Sequence, residues 1–145
     1  MRYEICNTLE ATKACADVLH ENWMESGQPK TDRFILDTPI YEYLADTDSF
    51  AILARDGEAV VGYVVVFMTR SPHTSRIIAS NDTIYVKPAY RPRGLGGRLF
   101  YMAEVEAQKR GATRFQWACD VGSPLHRALV KRPHTMQQIV IEREL

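Results

Sequence analysis

The stretch that most restricts how this chain can fold is Ile84-Tyr85-Val86-Lys87-Pro88-Ala89-Tyr90-Arg91-Pro92-Arg93-Gly94-Leu95-Gly96-Gly97-Arg98-Leu99. Three β-favouring residues run into a proline, which ends a strand. Arginines and glycines follow. From Gly94 to Arg110, Leu95, Leu99, Met102 and Ala103 fall on one helical face, with Glu106 intruding on it, and Gly111 stops the helix. A short strand over Arg114 to Ala118 comes next. Strand, glycine-rich turn, helix and strand over residues 77–119 predict a parallel strand pair joined by a crossover helix. The first-turn amides of that helix have no intrahelical acceptor, and the helix dipole adds about half a positive charge there. The segment is therefore an anion site, and a phosphate fits it.

The rest of the chain reads as a mostly antiparallel sheet. Arg2 to Asn7 alternates as a strand, and Thr8 is placed to cap a helix over about Glu10 to Glu25, with Gly27 beyond its end. Pro29, Pro39 and several aspartates mark residues 27–48 as a loop, with one helical turn around Ile40 to Leu44. Phe50 to Arg55 and Glu58 to Thr69 are strands, and Asp56-Gly57 makes their hairpin. Arg76 to Val86 is the strand that enters the glycine loop. Ser123 caps a helix with Pro124 at its first position, running to about Lys131, and Met136 to Arg143 alternates as a final strand.

With 145 residues there is room for one ordinary domain, and a chain of this size buries roughly 68% of its unfolded surface without needing a disulfide or metal. Cys6, Cys15 and Cys119 are odd in number and widely spaced, which fits a reducing, cytoplasmic setting. The longest apolar run, Ala59 to Met68, is too short for the roughly 18 residues of a membrane span. No secretory leader is visible at the start. Lys plus Arg and Asp plus Glu are both 18, so the formal charge is zero, which argues against a nucleic-acid partner. The charge is uneven, however: residues 1–60 hold twelve acids and five bases, and Lys87 to Arg132 hold ten bases and three acids. An anionic ligand near the basic segment and a cationic one near the acidic segment would match this.

The loop lacks the GxxxxGK[ST] of a nucleoside-triphosphate site, and Leu99 stands where a dinucleotide fingerprint needs its third glycine. Arg91-x-x-Gly94-x-Gly96, directly after a strand and Pro88-x-Tyr90, resembles the acyl-CoA pyrophosphate loop of the GNAT family of N-acetyltransferases. The resemblance extends over most of the chain in element order. It implies a GNAT-like α/β (mixed α+β) fold over residues 1–145: a central, mostly antiparallel sheet with one parallel, splayed pair and helices on both faces.

It implies acetyl-CoA as co-substrate, with the backbone of Ile84, Tyr85 and Val86 beside the pantetheine arm. Arg91, Arg93, Gly94, Leu95, Gly96, Gly97 and Arg98 would hold the pyrophosphate, and a strand around Trp117 to Asp120 would splay away to leave a slot. The acceptor amine, on a small molecule or a protein, then attacks the thioester directly.

An alkylammonium loses its proton at a pKa of about 10, so reaction at neutral pH needs a base. Period-two alternation puts Asp82 on a face with Ser80, Ile84 and Val86, and Asp82 is the candidate base. Asn81 and Asp82 equally suit a turn or bulge. The family's usual acid, a helix Tyr, has no counterpart in Leu129-Val130-Lys131-Arg132-Pro133-His134, which leaves Ser123, His126 or water. Cys119 reads as a buried strand cysteine, and the histidines show no metal-ligand spacing, so no metal is expected.

In the family, the region Trp23 to Asp48 shapes the acceptor pocket. Here it offers Trp23, Tyr41 and Tyr43 with Asp32, Asp37, Glu42, Asp46 and Asp48, which suit a cationic amine. Only one strand fits after the last helix where the family has two, and a sheet edge exposed there suits a homodimer. The alternative function is a non-catalytic acyl-CoA-binding or partner-binding protein on the same fold.

Overall fold

The computed structural model describes residues 1–26 and 32–145. Its centre is a five-stranded sheet in the order β1-β2-β3-β4-β5, with β1 Arg2–Cys6, β2 Phe50–Asp56, β3 Ala59–Arg70, β4 Ile77–Val86 and β5 Ala112–Gln116. The first three pairings are antiparallel and β4–β5 is parallel, as expected from the strand–helix–strand unit. The β2–β3 hairpin turns at Gly57, whose φ of +58° lies in the left-handed region that glycine enters without strain. Apolar β3 is the middle strand and is buried on both faces from Val60 to Val66, so its length reflects a sheet core.

Two cores flank the sheet. On one face lies α4 (Leu95–Lys109), which buries Leu95, Leu99, Ala103 and Ala107 against Phe50, Ile52, Val64, Val66 and Val86. The intruding Glu106 pairs with Arg110 at 2.8 Å, and Arg110 in turn lies over the Phe50 ring. Leu99 is fully buried. Leu99→Ala should lower stability by about 2–5 kcal/mol, read as a lower urea midpoint at unchanged m-value.

On the other face, α1 (Thr8–Ala14) and α2 (Ala16–Glu25) cover Leu53, Tyr63, Val65 and Tyr85. Here the expected single helix is two. Asn7, not Thr8, is the cap: its side chain accepts from Glu10 N–H at 2.8 Å while Glu10 reaches back to Asn7 N–H. Thr8 is buried and donates to the Tyr41 carbonyl. The break falls at Cys15, whose φ of −129° leaves the helical region. The Cys15 thiol bonds back to the Ala11 carbonyl, and such back-bonding bends helices.

The expected helical turn at 40–44 is α3 (Thr38–Ala45), capped by Asp37. After β5, Trp117 and Arg132 both bond to Glu104 of α4, Arg132 with two bonds of 2.6 Å, so the final helix α5 (Pro124–Leu129) is tied down at its far end.

The expected last strand is not formed. Residues 136–145 carry no regular structure, and Ile139, Val140 and Ile141 are 86–90% exposed. Alternation makes a strand only where one face finds a core or an edge finds a partner, and here neither occurs. No helix among the described residues is long and apolar enough to cross a membrane.

Candidate active site

The parallel ladder between β4 and β5 runs only from Ile77 to Ser80. Beyond it the two chains part, and the side chain of Asn81 bridges the opening. Its amide donates to the Ala118 carbonyl (3.1 Å) and its oxygen accepts from Ala118 N–H (2.7 Å). Asn81 thus acts as the last rung and fixes where the slot begins, a role the sequence reading did not give it. Its polar type inside a β run was the available signal. Lys87 N–H donates to Val61 O, so alternation turns the backbone groups of Ile84 and Val86 away from β3, toward the open side.

At the end of β4 a short 3-10 helix, Pro88–Arg93, leads to Gly94, which caps α4 at φ +72°. Gly94 makes the turn that a side chain would strain, and a Cβ built there meets nothing within 4 Å, so there is open space at the start of α4, whose first-turn amides have no intrahelical acceptor. Each of the three arginines makes contacts of its own. Arg91 donates to the Val86 carbonyl and to Glu25 of α2, and its guanidinium lies over Tyr85. Arg93 lies over Tyr90, and Arg98 leans over Tyr3 of β1. What this turn has to offer an anion is chiefly backbone N–H, at the uncapped first turn of α4.

On the helix α1–α2 face a cavity of about 610 Å³ opens, lined in part by Asn22, Trp23, Tyr41, Tyr63, Asp82 and Thr83. The reading of Asp82 by strict alternation is corrected here. Val65 pairs with Thr83 and Val66 with Asn81, so Asp82 is the extra residue of a β-bulge. The bulge moves Asp82 off the face of Ile84 and Val86, which pack toward α4, and into the cavity with Thr83.

Its carboxylate is open to the cavity and accepts from the Tyr41 hydroxyl at 2.9 Å. Surrounding protein pushes its pKa above the usual carboxylate value, with the Tyr41 bond pulling the other way. Asn22 donates to both Tyr63 Oη (2.9 Å) and Thr83 Oγ1 (2.6 Å), so the neighbouring polar groups satisfy one another. Burial pushes the Tyr41 and Tyr63 phenols upward, so both stay protonated at neutral pH.

The other expected site residues lie elsewhere. Ser123 Oγ accepts from His126 N–H as the cap of α5; His126 Nδ1 accepts from Gly122 N–H, and Nε2 meets Gln137 at 3.1 Å. Both side chains are engaged at the start of α5. Cys119 is half-buried outside any strand, and burial followed by Asp120 raises its thiol pKa, the wrong direction for a nucleophile. Of the acceptor-region residues, Trp23, Asp37 and Tyr41 line the cavity, whereas Tyr43 is 72% exposed and Glu42, Asp46 and Asp48 are not in its wall. Among the described residues no three His, Cys, Asp or Glu side chains are arranged to hold a metal.

A splayed parallel pair entered from a bulged strand, with a glycine-capped helix at its mouth, is the frame of an acyltransferase. The sequence pattern of the acetyltransferase (GNAT) family matches residues 13–132, and the chain belongs to that family of N-acetyltransferases. Solved structures share the fold. An aminoglycoside acetyltransferase from an uncultured soil metagenomic sample, crystallised with sisomicin, superposes with a TM-score of 0.78 at 13% identity, over 99% of this chain and 95% of that one. The ribosomal-protein-alanine N-acetyltransferase of Brucella melitensis biovar Abortus 2308 gives 0.73 at 20% identity, over all of both chains. The aminoglycoside 6'-N-acetyltransferase AAC(6')-IG of Acinetobacter haemolyticus gives 0.66 at 17%, over 100% and 99%. No curated protein sequence matches the chain.

Proposed function

We propose that the chain, as one domain over residues 1–145, transfers an acetyl group from acetyl-CoA to a primary amine by direct attack within a ternary complex. The observation that carries this is Asp82. The bulge sets a carboxylate in the acceptor-side cavity two residues before Ile84, whose backbone faces the open slot. The donor set suits the co-substrate: the outward backbone groups of Ile84 and the Val86 N–H for the pantetheine amides, and the first-turn amides of Leu95 to Gly97 with Arg93 for the pyrophosphate.

Acetyl-CoA supplies the thioester carbonyl; the C–N bond forms, the C–S bond breaks, CoA leaves as its thiol and one proton goes to solvent. Asp82 takes the proton of the ammonium, directly or through water. Its raised pKa brings it closer to that of its task than an ordinary carboxylate would be. The hydroxyl of Tyr41 holds the carboxylate in place. Three free cysteines support a reducing, cytoplasmic setting. The unpaired outer edge of β5 and the exposed Ile139-Val140-Ile141 run support pairing of two copies.

The test is direct. Calorimetry should show saturable binding of acetyl-CoA, and a panel of amines should contain one that releases free CoA thiol in proportion to acetylated amine. A folded protein that binds no acetyl-CoA overturns the reading.

A further inference from the structure

Among the described residues, the lining of the cavity on the acceptor side holds two acids, Asp82 and Asp37. Asp82 uses one oxygen for Tyr41, and among the described residues the other accepts nothing. The remaining acids near it are engaged or peripheral. Asp37 caps α3 through Ile40 N–H, Glu21 pairs with Lys87 at 3.0 Å and Glu25 with Arg91. The polar neighbours Asn22, Tyr63 and Thr83 bond one another, leaving little for a hydroxyl-rich ligand.

The rest of the wall is apolar. Trp23 and Phe34 stand 5.7 Å apart ring to ring, with Leu36 and Phe67 in the same lining. Ile35 and Ile40 also line it while remaining 77% and 53% exposed, apolar surface that a ligand would cover.

On these grounds we infer that the acceptor is a primary amine with a single positive charge on an apolar, aromatic body: an aralkylamine, with its ammonium at Asp82 and its ring among Trp23, Phe34 and Phe67. This rests on the acyl-transfer reading above. The other acid in the described lining, Asp37, already caps α3, so a polycationic amine finds no second uncommitted carboxylate there. A sugar or peptide amine would leave polar groups unpaired, at about 1–3 kcal/mol each. An aromatic body of this kind instead removes apolar area from water and gains ring contacts with Trp23 and Phe34.

The experiment titrates 2-phenylethylamine, spermidine, kanamycin and an alanine-initiated peptide into the full chain. Binding is read by tryptophan fluorescence and by thermal shift, and transfer by CoA release. Saturable binding of 2-phenylethylamine is expected, with a fluorescence change that Trp23→Phe reduces and an affinity that Asp82→Asn lowers about tenfold or more.

If spermidine, kanamycin or the peptide is acetylated while 2-phenylethylamine neither binds nor reacts, the acceptor class is overturned and the acyl-transfer reading stands. If 2-phenylethylamine binds at the cavity but the protein binds no acetyl-CoA, the acyl-transfer reading fails and the ligand class stands. Binding of none of the four overturns the inference.

Discussion

Asp82→Asn should lower kcat by about 10²- to 10⁴-fold while leaving acetyl-CoA affinity unchanged. Asparagine keeps the size and accepts the Tyr41 bond, so the fold has no reason to change, but it takes up no proton. The same residue sets the acid limb of the pH–rate profile. The carboxylate works only when deprotonated, so activity falls as pH drops through its raised pKa, and in Asp82→Asn that limb disappears. Tyr41→Phe removes the donated bond that stabilises the carboxylate. The pKa of Asp82 then rises further and the limb moves to higher pH. An unchanged profile in both variants would remove Asp82 from the chemistry.

The second large effect belongs to the loop. A double variant, Arg93→Ala with Gly94→Trp, should weaken acetyl-CoA binding by at least about 100-fold in calorimetry, since several charge-assisted bonds are lost together. The indole would project into the open space at the start of α4, and no neighbouring atom lies within 4 Å of the added Cβ. The left-handed φ of Gly94 adds about 1–2 kcal/mol of backbone strain, too little to unfold a domain. Wild-type affinity in the folded variant would move the phosphate site elsewhere.

What the sequence disclosed is what short-range chemistry decides. Asp56-Gly57 forces a turn, Gly94 forces a helix start, and Ser123-Pro124 starts α5 whatever packs around them. The features that escaped depend on distant partners. Nothing in Ala14-Cys15-Ala16 breaks a helix; the break arises with a buried thiol bonding to the Ala11 carbonyl while α1 and α2 bury different residues. The tail alternates like a strand, yet strand formation requires an edge or a core that it does not reach. Asp82 was named as the candidate base and its face mistaken, because one extra residue in β4 reverses the alternation on which the assignment rested. The acids at 42, 46 and 48 looked like pocket residues by proximity in sequence alone; α3 and its C-terminal turn carry them away from the cavity.

On the function proposed above, the contact between Arg91 and Glu25 would join the acetyl-CoA side of the molecule to the amine side. Glu25 ends the same helix whose preceding turn supplies Asn22 and Trp23 to the cavity, and Tyr85 donates to the same carboxylate. Anything that draws Arg91 toward a phosphate alters the charge balance at the end of α2. The two proposed ligands would then not bind independently: whatever factor one imposes on the affinity of the other is returned in equal measure. On that reading, the affinity for the amine measured with and without bound acetyl-CoA would report on this ion pair.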